Sequence, residues 1–161
     1  MPENNNNKIL AVASLGGHWM QLLRICSELS RTHTITYVST NADAASMLPT
    51  PDATFHTVAD FSRWDAWRLP GVMWQLCRII RRERPRTVIT TGAAPGLVAI
   101  LVARLMGVRT LWIDSIANAA TLSGSGAMAR HIAHHTFTQW SQLADEKRHV
   151  EYHGNCFGTE E

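Results

Sequence analysis

Three short apolar runs in the sequence each pass directly into a turn of glycine or small polar residues. Lys8–Ser14 (KILAVAS) leads into Leu15-Gly16-Gly17-His18, Thr87–Thr91 (TVITT) into Gly92-Ala93-Ala94-Pro95-Gly96, and Arg109–Asp114 (RTLWID) into Ser115-Ile116-Ala117-Asn118. The runs show little of the apolar–polar alternation of a half-wet strand, so each reads as a strand buried on both sides. Helical recurrence follows the first two turns: Met20, Leu22, Leu23, Ile25, Cys26 and Leu29 within Trp19–Leu29, then Pro95–Met106 with Gly107 placed to stop it. Strands alternating with helices predict an α/β fold, a Rossmann-like parallel sheet with helices on both faces. Ligands of such sheets gather outside the carboxyl ends of the strands, so the three turns are predicted to share one functional edge.

The remaining elements are weaker. Thr34–Ser39 (TITYVS) is β-branched and aromatic and reads as a strand, Asn41–Leu48 as a short helix stopped by Pro49 and Pro51, and Thr54–Val58 as a third strand. Asp65–Arg84 has helical spacing that Pro70-Gly71 breaks or restarts, and Pro85 closes it. Ala127–His135 is predicted as a helix, with last strands at Thr136–Gln139 and His149–His153.

A chain of 161 residues has room for one domain, and this length is taken to exclude a complete two-domain enzyme. With 45% hydrophobic and 17% charged residues it can build a core. Residues 1–7 are polar and Asn-rich, the opposite of a signal peptide, and are expected to be disordered. The most apolar run, Leu97–Ala103, falls short of the roughly 20 residues that cross a bilayer. Cys26, Cys77 and Cys156 form no C-x-x-C and suit a reducing compartment. A soluble or peripheral protein on the cytoplasmic side is expected.

Net charge is only +2, yet six of the Arg residues fall between Arg68 and Arg86. A local basic patch on a nearly neutral chain points to a local anionic contact and not to nucleic acid. Trp64, Trp67 and Trp74 are interleaved with Arg68, Arg78, Arg81 and Arg82, an arrangement suited to an anionic membrane surface. The alternative is a sheet-covering helix whose Trp, Val72, Leu76 and Ile79 face the core while Arg faces water.

Each turn also has two readings. Gly16-Gly17 lets backbone N–H groups at a helix start approach an anion or sugar oxygen, or is simply a tight turn. His18 beside it is a candidate base or a surface residue. Gly92–Gly96 lines a cleft opposite His18 or merely ends a strand. Asp114 needs a partner or ligand at its strand end, or caps the turn with Ser115. His131, His134 and His135 would share a helix, but without H-E-x-x-H or a completing carboxylate no metal is expected. Walker A, G-x-G-x-x-G and G-x-S-x-G motifs are absent from the sequence.

Taken together, the loops resemble a known family. Ser14–His18 (SLGGH) after an N-terminal strand is similar to the first glycine loop of GT-B glycosyltransferases of the MurG type. Val88–Trp140 resembles the accessory subunit of the two-component N-acetylglucosaminyltransferase of dolichol-linked oligosaccharide synthesis, and equally its PssD-like counterparts in capsule and exopolysaccharide assembly. The shared pattern is a strand, T-x-G, a small-Pro-Gly turn, an apolar helix, a strand, an acidic-Ser turn and a Leu-Ser/Thr-Gly loop. The resemblance implies the N-terminal, acceptor-side half of a GT-B fold over residues 1–161. It implies His18 as acceptor-side base, and an acceptor cleft lined by Gly16, Gly17, Gly92, Pro95, Asp114, Ser115 and Asn118.

It further implies a heterodimer. A separate donor-binding subunit would hold most of the UDP-sugar, and the acceptor would be a lipid-linked saccharide. No other cofactor is implied. Tyr152, Gly154, Asn155 and Phe157 would lie at the partner interface, in a segment 154–161 where a one-chain enzyme crosses between its halves. UDP-GlcNAc, UDP-galactose and UDP-glucuronate all fit as donors. Two departures stand out: Asp114 replaces the Glu of many relatives, and the N-terminal membrane helix of eukaryotic members is missing, so membrane contact is expected through the Arg/Trp segment or the apolar Leu97–Val102 helix. Rival readings are a non-catalytic scaffold that anchors its partner, and a stand-alone nucleotide binder.

Overall fold

The computed structural model describes residues 7–158. Residues 1–6 of the expected disordered start, and 159–161 of the expected interface segment, lie outside the described residues. Seven strands form one sheet in the order β3-β2-β1-β4-β5-β6-β7: β1 (Lys8–Val12), β2 (Thr34–Ser39), β3 (Thr54–Thr57), β4 (Thr87–Thr90), β5 (Arg109–Ile113), β6 (His135–Thr138) and β7 (Glu151–Tyr152). Every neighbouring pair is parallel. Helices α1 (Gly17–Leu29), α2 (Leu69–Glu83), α3 (Ala93–Leu105) and α4 (Gly124–Ala129) supply the crossovers and the cover.

The unbroken apolar character of β1 is explained by burial on both faces. Leu10 and Val12 join one core with Val72 and Leu76 of α2 and Val98, Ile100 and Val102 of α3. Ile9, Ala11 and Ala13 join a second core with Trp19, Leu22 and Cys26 of α1. Helix α3, packed tightly and apolar around most of its circumference, carries Gly96 where a Cβ would collide with Thr90 Oγ1 on β4. Gly107 follows α3 with φ +75°, the left-handed stop the sequence suggests. Pro70 sits in the first turn of α2 and starts that helix, after a short 3-10 helix over Arg63–Arg68. Among the described residues no helix is long and apolar enough to cross a membrane.

One predicted element is wrong in extent. Instead of a helix over Ala127–His135, α4 stops at Ala129 and His135 opens β6. Pairing with β5 competes with the helix: Leu111 aligns with His135, and His134 N donates to Thr110 Oγ1 at 3.0 Å. Burial, reinforced by the charges of Arg104, His135 and Arg109, holds the His134 imidazole below its usual pKa, which suits Nδ1 as acceptor from Thr110 N at 3.1 Å. His131, His134 and His135 therefore do not share a helix face.

A buried carboxylate at the end of α2 ties β1 to β3. Glu83 accepts from Lys8 Nζ at 2.7 Å and pairs with His56 Nε2 at 2.9 Å. Burial alone would raise the Glu83 carboxyl, but the bonds and charges of Lys8 and His56 outweigh it and hold it below its usual value. A depressed folded value contributes stability above the ordinary carboxylate range that is lost as pH falls through it. Urea melts between about pH 5 and pH 3 should thus show wild-type stability falling more steeply than that of Glu83→Gln. Equal slopes would contradict the ion network.

Candidate functional site at the carboxyl edge of the sheet

All strands being parallel, the three turns do share one edge. β1 is flanked by β2 on one side and β4 on the other, so the strand order reverses between β1 and β4, and α/β sheets place their ligand crevice at such a reversal. The loops after β1 and β4 meet there. Gly16 caps α1 with φ +109°, open space lies above both Gly16 and Gly17, and α1 has no side-chain cap and no acidic residue in its first turn. Its first N–H groups are left for a ligand or water. Helix α3 starts the same way from Gly92, with φ +132°, followed by Ala93 in the left-handed region at φ +66°. A non-glycine residue there stores about 1–2 kcal/mol of backbone strain.

His18 joins the two loops. Its Nδ1 lies 2.8 Å from the Thr91 carbonyl oxygen, while Thr91 Oγ1 donates to the His18 carbonyl at 2.6 Å. A carbonyl only accepts, so Nδ1 carries a proton and the lone pair of the neutral ring resides on Nε2. The ring rests on Gly92, where a Cβ would stand 2.7 Å from His18 Cε1. Gly92 is thus required twice, by its φ and by the imidazole above it.

Asp114 and Pro95 occupy other positions than expected. Pro95 is buried in the first turn of α3 and sets that helix under the loop without lining a cleft. Asp114 is 1% exposed, and its carboxylate accepts from four donors: Trp112 Nε1 at 3.1 Å, Asn118 Nδ2 at 3.1 Å, Ser123 N at 2.9 Å and Ser123 Oγ at 2.6 Å. It organises the loop 115–123 from beneath. Gly126 lies against it: a Cβ there would stand 2.5 Å from Asp114 Oδ1, so a side chain at 126 would collide with the carboxylate. Ser115 and Asn118 are half-buried at the edge itself. Gln21, Ser123, Gly126 and Gln139 escaped the sequence reading; only the Leu-Ser-Gly of Leu122–Gly124 marked this loop.

In sequence, the chain is similar to two curated proteins. It is 22% identical over 178 residues to the UDP-N-acetylglucosamine transferase subunit ALG14 of Yarrowia lipolytica, covering 95% of this chain and 82% of the relative. The Mus musculus subunit of the same name is 24% identical over 169 residues, covering 86% and 78%. No family model matches. In structure, Acinetobacter baumannii MurG superposes with a TM-score of 0.79 at 12% identity, covering 96% of this chain and 47% of MurG. UDP-N-acetylglucosamine 2-epimerase of Rickettsia bellii follows at TM-score 0.71 and 15% identity, covering 94% and 45%. The fold is that of the N-terminal half of GT-B glycosyltransferases. The chain spans about half the length of these solved structures.

Away from His18, the Arg/Trp segment divides its residues differently from the sheet-covering alternative. Val72, Leu76 and Ile79 of α2 face the core, but Trp64, Trp67 and Trp74 are 84%, 77% and 62% exposed. The tryptophans are thus not core residues. Arg68 lies over the Trp67 ring and Arg78 over Trp74, each at 5.5 Å. Trp74, Arg78 and Arg82 flank a groove of about 280 Å³ closed by His56 and Ile79. Because β3 and β4 are parallel, α2 starts at the carboxyl edge, so Trp64 and Trp67 stand at the same edge as His18. Tyr152, Gly154 and Phe157 are exposed and Asn155 is half-buried.

Proposed function

We propose that this chain is the acceptor-side subunit of a two-part GT-B N-acetylglucosaminyltransferase, working with a separate donor-binding subunit. The observation that carries the chemistry is His18, whose protonated Nδ1 is held by Thr91 and whose Nε2 is left as the base, at the strand-order reversal of half a GT-B fold. The named transferase subunits that the sequence resembles support the donor, UDP-GlcNAc, and the need for a partner. The acceptor is a lipid-linked saccharide of oligosaccharide or polysaccharide assembly. Its hydroxyl hydrogen-bonds to His18 Nε2 and attacks the anomeric carbon of the donor sugar. The glycosidic bond forms as the bond to UDP breaks, and the hydroxyl proton passes to Nε2. The uncapped starts of α1 and α3 receive the anionic or sugar oxygens of the substrates, and joining the two subunits supplies proximity.

Such an acceptor arrives in a membrane, and the exposed tryptophans with Arg68, Arg78, Arg81 and Arg82 form the contact, at the inner face of the cytoplasmic membrane. Co-sedimentation with vesicles of neutral phosphatidylcholine, with and without anionic phosphatidylserine, tests this. Binding should require the anionic lipid, and removing Arg78 or Arg82 should each weaken it roughly fivefold. Binding indifferent to lipid charge would contradict the membrane face. In the assembled enzyme, His18→Ala should lower kcat by about 100-fold or more; full activity with the partner still bound would make the chain a scaffold instead.

A further inference from the structure

Two buried side-chain amides converge on a single backbone oxygen. The carbonyl of Asp114 accepts from Gln21 Nε2 at 3.3 Å and from Gln139 Nε2 at 3.0 Å. Each amide uses its oxygen on a different segment: Gln21 Oε1 accepts from Ile116 N at 3.2 Å, and Gln139 Oε1 accepts from Cys156 N at 3.0 Å. Gln21 lies on α1, three residues from His18, and Gln139 follows β6. Cys156 is held from its other side as well, since Arg24 Nε of α1 donates to its carbonyl and the Arg24 guanidinium lies 4.9 Å above the Phe157 ring. A continuous set of hydrogen bonds thus runs from residue 156 through Gln139 to Asp114, and from there through the carboxylate to Asn118 and Ser123.

Loop 115–123 contains no helix or strand, so side-chain hydrogen bonds hold its shape: those above, with Trp140 Nε1 on the Ile116 carbonyl at 2.7 Å and Gln142 Nε2 on the Ala119 carbonyl at 3.0 Å. A buried amide with one partner removed is costly and free to rotate. When residue 156 leaves its seat, Gln139 Oε1 loses its partner, and the same side chain makes the shorter of the two bonds to the Asp114 carbonyl. We propose that Gln139 is a positioning residue that makes the order of loop 115–123 conditional on the seating of residues 153–158. The consequence for catalysis rests on the acceptor reading above, in which this loop borders the acceptor.

The exchange of backbone amides in the full chain tests the linkage without any transferase assay. Arg24→Ala, a change at an exposed residue that touches no part of loop 115–123, should speed exchange at the Ile116 and Ser123 amides by roughly tenfold. Gln139→Met should do the same, and the double variant should add nothing further. In the assembled enzyme Arg24→Ala should raise the acceptor KM and leave the donor KM unchanged. Faster exchange confined to residues 153–158 in Arg24→Ala, or additive effects in the double variant, would overturn the proposal. If the exchange result holds while no transferase activity exists, the linkage stands and the acceptor reading falls.

Discussion

Gly92→Ala should remove most activity and destabilise the fold by about 2–5 kcal/mol, because two costs fall on one methyl group. The backbone at φ +132° and ψ −165° is a region open essentially to glycine alone. Even a backbone that tolerated the strain would place the new Cβ 2.7 Å from His18 Cε1 and 2.9 Å from Nδ1. The ring must then leave Gly92, and with it the 2.8 Å bond to Thr91 that fixes its tautomer. A displacement near 1 Å at such a base lowers the rate by roughly 100-fold. Gly17→Ala is the control. Nothing lies within 4 Å of the methyl it would add, so thermal melts should move little. A raised acceptor KM in that variant would place the substrate over the α1 start. If Gly92→Ala melted and turned over like the wild type, the His18–Thr91 clamp would have no part in the reaction.

The second large effect is expected at Asp114. Replacement by Ala leaves the donors of Trp112, Asn118 and Ser123 facing an empty buried space, and each unsatisfied group costs about 1–3 kcal/mol. Asn118 Nδ2 and the Ser123 hydroxyl belong to half-buried residues and can turn to water, so Trp112 Nε1 and Ser123 N carry the loss, about 2–6 kcal/mol, enough to unfold a marginal domain. Asp114→Asn keeps the shape; with its NH2 on the Oδ1 side the Ser123 hydroxyl can accept from it, but Trp112 Nε1 then faces a donor, and a loss of about 1–3 kcal/mol is expected. Asp114→Glu adds a methylene to a packed site and should cost about 1–3 kcal/mol. Chemical denaturation measures all three. A residue that touched the acceptor directly would behave in the opposite way, with Asp114→Asn keeping its stability and losing only kcat.

Comparing sequence with structure shows which physical signals are local. The buried strands, the glycine starts of α1 and α3 and the shared carboxyl edge were legible because each follows from hydrophobic period and from positions that only glycine fills. His18 was legible as a candidate for the same reason: it stands next to Gly16-Gly17 in the sequence. Its clamp was not, since Thr91 is 73 residues away and only the pairing of β1 with β4 brings it close. Asp114 was identified as a residue needing partners, but its partners come from an irregular loop whose course has no periodicity. The same holds for Gln21 and Gln139, polar residues on apolar faces whose role appears only once Asp114 lies between them. Ala127–His135 misled because its local helical spacing conceals the competing register with β5.

The most direct test of the two-part transferase is purification of the full chain with whatever subunit it binds, followed by transfer of radiolabelled GlcNAc from UDP-GlcNAc to a lipid extract of the same cells. The complex should label the lipid fraction, its His18→Ala form should fall by about 100-fold or more, and the chain stripped of its partner should neither label lipid nor release UDP. Full transfer by the stripped chain alone would contradict the account.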